Sequence, residues 1–153
     1  MSKKYILHYD GACEPVNPGG VASFGYTLIL DGSELSFGKG IVGEGKDMTN
    51  NVAEYSGLIE GMKAVSKHVI SGDTLEIRSD SQLAVRQMNG TYRVRSDRIR
   101  PLYKKAQELK KSLEERGIRV QIKWVPREEN ERADYLSHQA YREYCRKTGY
   151  TGP

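Results

Sequence analysis

A chain of 153 residues, 37% apolar and 29% charged, has the size and composition of one soluble globular domain with a real core. No apolar stretch approaches the ~18 residues a bilayer span needs, and the start, Met1 to Tyr5, runs straight into a strand pattern that leaves no room for a secretory leader. Cys13 and Cys145 have unrelated surroundings and no metal-ligand spacing, as expected of free thiols in a cytoplasmic protein.

In chain order, Lys4 to Asp10 reads as a buried strand and Gly11 to Gly20, with two prolines and a glycine pair, as a loop. Ala22 to Leu30 is a second strand. Asp31-Gly32 is a tight-turn dipeptide that returns the chain as Glu34 to Val42, and Gly43 to Lys46 reads as a linker. A helix opens near Thr49 or Asn50, with Val52, Ala53, Leu58, Ile59, Met62 and Val65 at helical spacing. Thr74 to Ser79 forms the next strand, and a short helix from Ser81 to Met88 stops at Asn89-Gly90. A long helix runs from Arg98 or Pro101 to Arg116, with Gly117 as its stop. Arg119 to Val125 is the fifth strand, Pro126 ends it, and a last helix spans Asn130 to about Arg146. Residues 1–148 are expected to form one domain, and 149–153 a flexible tail.

Short links make the first three strands antiparallel, and helical crossovers make the later two parallel to the first. The expected fold class is therefore α/β, a mixed five-stranded sheet with helices on both faces. In such folds strand ends and helix starts face one crevice. Asp10 and Asp80 end strands, while Glu54 and Asp134 fall in the first turns of helices. Four carboxylates gathered there repel one another unless they share a cation, which points to a hard-metal site.

The net charge of +4 is unevenly spread. Between Arg86 and Lys111 nine basic residues face two acids, a window of +7 that leaves the rest of the chain at −3. A basic stripe on an acidic body suits a nucleic-acid backbone. For Lys104 to Lys111 a solvated helix face fits at least as well.

Four segments carry a resemblance. They are Asp10-Gly-Ala-Cys13-Glu-Pro-Val-Asn17-Pro-Gly-Gly20, Thr49-Asn50-Asn51-Val-Ala-Glu54, Ser79-Asp80-Ser81-Gln82, and Trp124-Val-Pro followed by Asn130-Glu-Arg-Ala-Asp134. In order and in kind they resemble the motif blocks of type 1 ribonuclease H, from Tyr5 to about Gln139. The resemblance implies endonucleolytic hydrolysis of the RNA strand of RNA/DNA hybrids, leaving 5′-phosphate and 3′-hydroxyl ends. It implies two Mg2+ ions, with Mn2+ as a substitute, held by Asp10, Glu54, Asp80 and Asp134 as catalytic metal ligands, Asp10 bridging both ions. It also implies substrate contacts by Cys13, Asn17, Thr49, Asn50, Asn51 and Gln82. Thr49 or Asn50 would serve equally as a helix cap, and Asn17-Pro-Gly-Gly as a turn. An RNA/DNA hybrid is the implied partner, with no membrane and no obligate protein partner, and the protein is expected to be a cytoplasmic monomer. The alternatives are another nuclease of the same superfamily and a hybrid-binding module that does not cut.

Two features depart from the common pattern and resemble a compact branch of the family. Many members carry a loop histidine before the last motif, and here Pro126 to Glu129 has none, so Arg127, Glu128 or Glu129 could act in its place. His138 stands one turn beyond Asp134 and either approaches the site or is an ordinary surface residue. His8 reads as a packing residue within its strand. The basic protrusion is also missing. Tyr92, Arg93 and Arg95 could take over backbone contact, or Tyr92 could pack the loop onto the sheet.

Overall fold

The computed structural model describes all of residues 1–153. Five strands, β1 (Lys4–Glu14), β2 (Val21–Leu30), β3 (Ser33–Glu44), β4 (Thr74–Ser79) and β5 (Arg119–Trp124), form one sheet in the order β3-β2-β1-β4-β5. The β1–β2 and β2–β3 pairs are antiparallel, and β4 pairs parallel with both β1 and β5. The helices are α1 (Asn50–Val65), α2 (Gln82–Met88), α3 (Arg100–Glu115) and α4 (Glu131–Thr148), with a single 3-10 turn at Arg127–Glu129. No helix is long and apolar enough to cross a membrane.

Successive strand residues face opposite sides of a sheet, and β1 shows what each side meets. Tyr5, Leu7 and Tyr9 join the main core with Leu58, Met62 and Val65 of α1 and Leu113 of α3. Leu7, Leu58 and Met62 are fully buried, each worth about 1.5–3 kcal/mol of transfer free energy. On the other side Gly25, paired with Asp10, lies against α4, where a side chain on it would strike Leu136 and Ala133. Ala133, Leu136 and Ala140 bury that face of α4. Helices therefore cover both faces, but α4 leaves the β4–β5 end of its side open to charged residues.

Three expectations are corrected. The first strand does not stop at Asp10: Gly11 to Glu14 pairs with Phe24 to Val21, so the supposed loop begins only after Glu14. The segment 43–44, read as linker, continues β3 opposite Ala22 and Val21. Gly43 looks loop-forming, but glycine also suits an edge strand against large neighbours: earlier in β3, a side chain on Gly38 would meet the Tyr26 ring. Finally, Glu54 is in the second turn of α1. Thr49 caps the helix by accepting from the Val52 N–H at 3.1 Å, which starts it at Asn50 and puts Glu54 beyond the first-turn dipole.

Smaller shifts occur at ends. β5 stops at Trp124, although the Val125 N–H still donates to the Ser79 carbonyl. Helix α4 runs on to Thr148 and ends at Gly149, whose φ of 73° is the left-handed conformation that closes helices. Beyond it the Tyr150 ring tilts over Tyr144, centroids 6.1 Å apart.

Candidate active site

Asp10 lies on β1, and Asp80 immediately follows β4, its parallel neighbour. Glu54 reaches the same point from α1 because Gly11 lets the helix backbone come close: a Cβ there would sit 2.3 Å from the Ala53 carbonyl carbon. Ligand oxygens of Asp10, Glu54 and Asp80 fall within 4.8 Å of one another. Asp10 and Glu54 are buried, at 6% and 7% exposure. Asp134, in the first turn of α4, lines the same crevice of ≈ 280 Å³ but stands outside that close trio.

The electrostatics are unfavourable as they stand. Burial, reinforced by the Asp80 charge, pushes the Asp10 carboxyl up to about 7. Burial and the neighbouring Asp10 push Glu54 well above the carboxylate range, and burial raises Asp80. Glu54 Oε2 is buried with no hydrogen-bond partner. A buried acceptor left unpaired costs about 1–3 kcal/mol. A hard cation answers both defects at once, and an oxygen-only donor set fits Mg2+ or Mn2+.

Asn130 holds the frame. It is 1% exposed and makes no capping bond to α4. Instead its Nδ2 donates to the Tyr9 carbonyl at 2.9 Å, and its Oδ1 lies 3.2 Å from His8 Nδ1. Its side chain also works against the rise that burial gives the Asp80 carboxyl. The residue thus ties the start of α4 to β1. His8 packs inside the sheet as expected, 8% exposed. The Trp124 indole donates to the Asp80 carbonyl at 3.2 Å.

The expected substrate residues fall into two groups. Asn17 Oδ1 accepts from the Asn50 N–H at 3.0 Å, and Asn50 Oδ1 accepts from the Cys13 N–H at 2.9 Å. This chain of bonds stitches the end of β1 to the start of α1 and leaves the Asn50 amide NH2 in the crevice. The Cys13 thiol turns to the Val16 and Met48 carbonyls, so that side chain is occupied internally. Thr49 caps α1. Asn51 belongs to the second group, a groove of ≈ 570 Å³ that it lines with Tyr92, Arg93 and Arg95. Gln82, at the first position of α2, is exposed and lines neither recess.

Tyr92 does not pack the loop onto the sheet. It is 45% exposed, its hydroxyl accepts from Arg86 at 2.6 Å, and the Arg86 guanidinium carbon lies 5.1 Å from its ring centroid. Buried Val94 and Ile99 anchor the loop instead. On α3, Lys104, Lys105 and Lys111 are exposed, as a solvated face requires. One of the crevice residues, Glu14, was not singled out by sequence, and a second was left open among alternatives. Glu14 was assigned to a loop, and Arg127, one of three loop candidates, is the one that lines the crevice, where its charge offsets Asp80. His138 does approach the site, 3.1 Å from Asp134.

Comparison with known proteins now bears on this geometry. The family described as reverse transcriptase-like matches residues 8–140. A ribonuclease HI of Halobacterium salinarum is 36% identical over 138 residues, covering 87% of this chain and 62% of that protein. The chain belongs to the type 1 ribonuclease H family. The N-terminal RNase H domain of a Mycobacterium tuberculosis protein, solved as a fusion with maltose-binding protein, superposes with TM-score 0.82 at 32% identity, over 95% of this chain and 99% of that one. LC11 ribonuclease H1, solved in complex with an RNA/DNA hybrid, gives 0.79 at 31% identity, over 92% and 98%. This type 1 ribonuclease H chain thus spans 62% of the halobacterial relative and 35% of the full-length mycobacterial one.

Proposed function

We propose that this protein hydrolyses the RNA strand of RNA/DNA hybrids, leaving 5′-phosphate and 3′-hydroxyl ends. The observation that carries the reading is the close trio of Asp10, Glu54 and Asp80, the first two buried, with its unpartnered Glu54 oxygen, at a crevice that Asn50 also lines. Asp10, Glu54, Asp80 and Asp134 would hold two Mg2+ ions, or Mn2+ in their place. When bound, the ions supply an activated water and stabilise the leaving oxygen. The chain supplies position. Asn130 holds the start of α4 against β1, and Arg127 brings a positive charge to the wall beside Asp80.

Specificity for RNA requires contact with 2′-hydroxyls, which an A-like minor groove displays. The free Asn50 amide, Asn51, Gln82 and the main chain at Cys13 present such contacts, while Asn17 and the Thr49 hydroxyl suit a DNA-strand phosphate. Tyr92, Arg93 and Arg95 line the second groove and receive the backbone beyond it. Support for the substrate comes from LC11 ribonuclease H1, which was solved with a hybrid bound. The same reading takes residues 1–148 as the working domain of a cytoplasmic monomer.

An end-labelled hybrid, incubated with protein and Mg2+ beside duplex DNA, single-stranded RNA and duplex RNA, tests this directly. Internal cuts in the RNA strand of the hybrid, absent with Asp10→Asn, are expected. Equal cutting by Asp10→Asn rejects the site, and tight binding without cutting by the wild type makes the protein a hybrid-binding module.

A further inference from the structure

Glu14 and His138 are not among the four expected metal ligands, yet both stand in the wall of the acidic crevice. His138 follows Asp134 by four residues on α4, so the two side chains leave one helix face. The imidazole Nδ1 is 2.8 Å from Glu14 Oε1, and Nε2 is 3.1 Å from Asp134 Oδ1. A carboxylate that receives the Nδ1 proton fixes the ring and leaves Nε2 as an electron-pair donor, the usual arrangement of metal-binding histidines. Ligand atoms each about 2.1 Å from one cation, at right angles, stand roughly 3.0 Å apart. The Asp134–His138 spacing is that of two adjacent ligands. Glu54 Oε2, nine-tenths buried and without a partner, belongs to the same crevice.

We propose that Asp134 and His138 form an oxygen–nitrogen ligand pair for a borderline transition-metal ion, with Glu14 orienting the imidazole. The inference rests on the metal-site reading above and adds a selectivity to it. Carboxylates alone are a hard set that suits Mg2+ and Mn2+, whereas an imidazole nitrogen shifts preference toward ions such as Co2+ and Zn2+. The pair is reachable: the His138 side chain is 34% exposed and that of Glu14 29%. Neither other histidine can supply the nitrogen. His8 is buried against Asn130, and His68 lies beside Tyr5 at the far end of β1.

Pulsed EPR of the Mn2+-loaded full chain tests the ligand, and calorimetry with Co2+ and Mg2+ tests the selectivity. Nitrogen modulation is expected in the wild type and its loss in His138→Gln. Co2+ affinity should fall about 10–100-fold in His138→Gln and roughly tenfold in Glu14→Gln, with Mg2+ affinity nearly unchanged. The wild-type spectrum decides even if a variant fails to fold. Mn2+ binding without nitrogen coupling overturns the inference and leaves His138 a hydrogen-bond partner of Asp134, with the metal site intact. If the wild type binds neither Mg2+ nor Mn2+, the metal reading of the function falls and this pair with it.

Discussion

Glu76 lies within β4 and Asp80 just beyond its end, four residues on, and their surroundings are opposite. Glu76 is 2% exposed and meets Lys4 at 3.2 Å, Arg78 at 2.6 Å and Lys123 at 3.0 Å. Burial alone would raise its carboxyl, but the bonds from Lys123, Arg78 and Lys4 outweigh burial and hold it at about 2. Asp80 instead joins Asp10 and Glu54, and burial raises all three. One end of the strand is neutralised by the chain itself. The other end carries charge that the chain leaves to be answered from outside, the pattern of a site that trades stability for function.

The largest test of that contrast is Asp10→Asn. It should lower hybrid cleavage by roughly 10²–10³-fold, read as initial rates, while raising the metal-free midpoint of thermal unfolding by relieving repulsion. A variant that is both less active and less stable would mean the trio is ordinary packing. Glu76→Gln should do the reverse, costing about 2 kcal/mol in chemical denaturation, discounted because its cations are partly exposed. Cleavage by the folded fraction should persist.

The pH dependence separates the two ends by sign. A carboxyl held low in the fold stabilises above its unfolded value, so the Glu76 contribution fades as pH falls from 4.5 to about 2. A carboxyl held high costs stability once ionised, so the Asp10 penalty grows as pH rises from 3.8 to about 7. Thermal unfolding in chelator should therefore lose stability toward both limits, and Mg2+ should remove the loss on the neutral side only. A profile unchanged by Mg2+ would break the comparison. The smallest effect concerns the exposed cations Arg93 and Arg95. Replacing both with alanine should flatten the slope of log affinity against log salt by ~0.9 per lost phosphate contact. An unchanged slope would free the second groove from any backbone role.

Much of the fold was readable because its signals are local. Alternating apolar residues, the Asp31-Gly32 turn, the Thr49 cap and the Gly117 stop each act within a few residues, and the five strands and four helices occur in the expected order. The misreadings share one origin. Gly11 to Glu14 and Gly43 to Glu44 look like loops, but their strand character comes from a partner far along the chain. Glu14 was invisible as a crevice residue for that reason, since only the extended β1 carries it to His138.

Sequence by itself determined the four carboxylates, their order and the family, because motif spacing survives without coordinates. Tertiary structure decided which three carboxylates crowd together, that the Asn130 side chain bonds β1 rather than capping α4, and that His138 is held between Glu14 and Asp134. These depend on contacts between residues up to 124 positions apart. No local propensity encodes them, and only packing of α4 against the sheet brings them within hydrogen-bond reach.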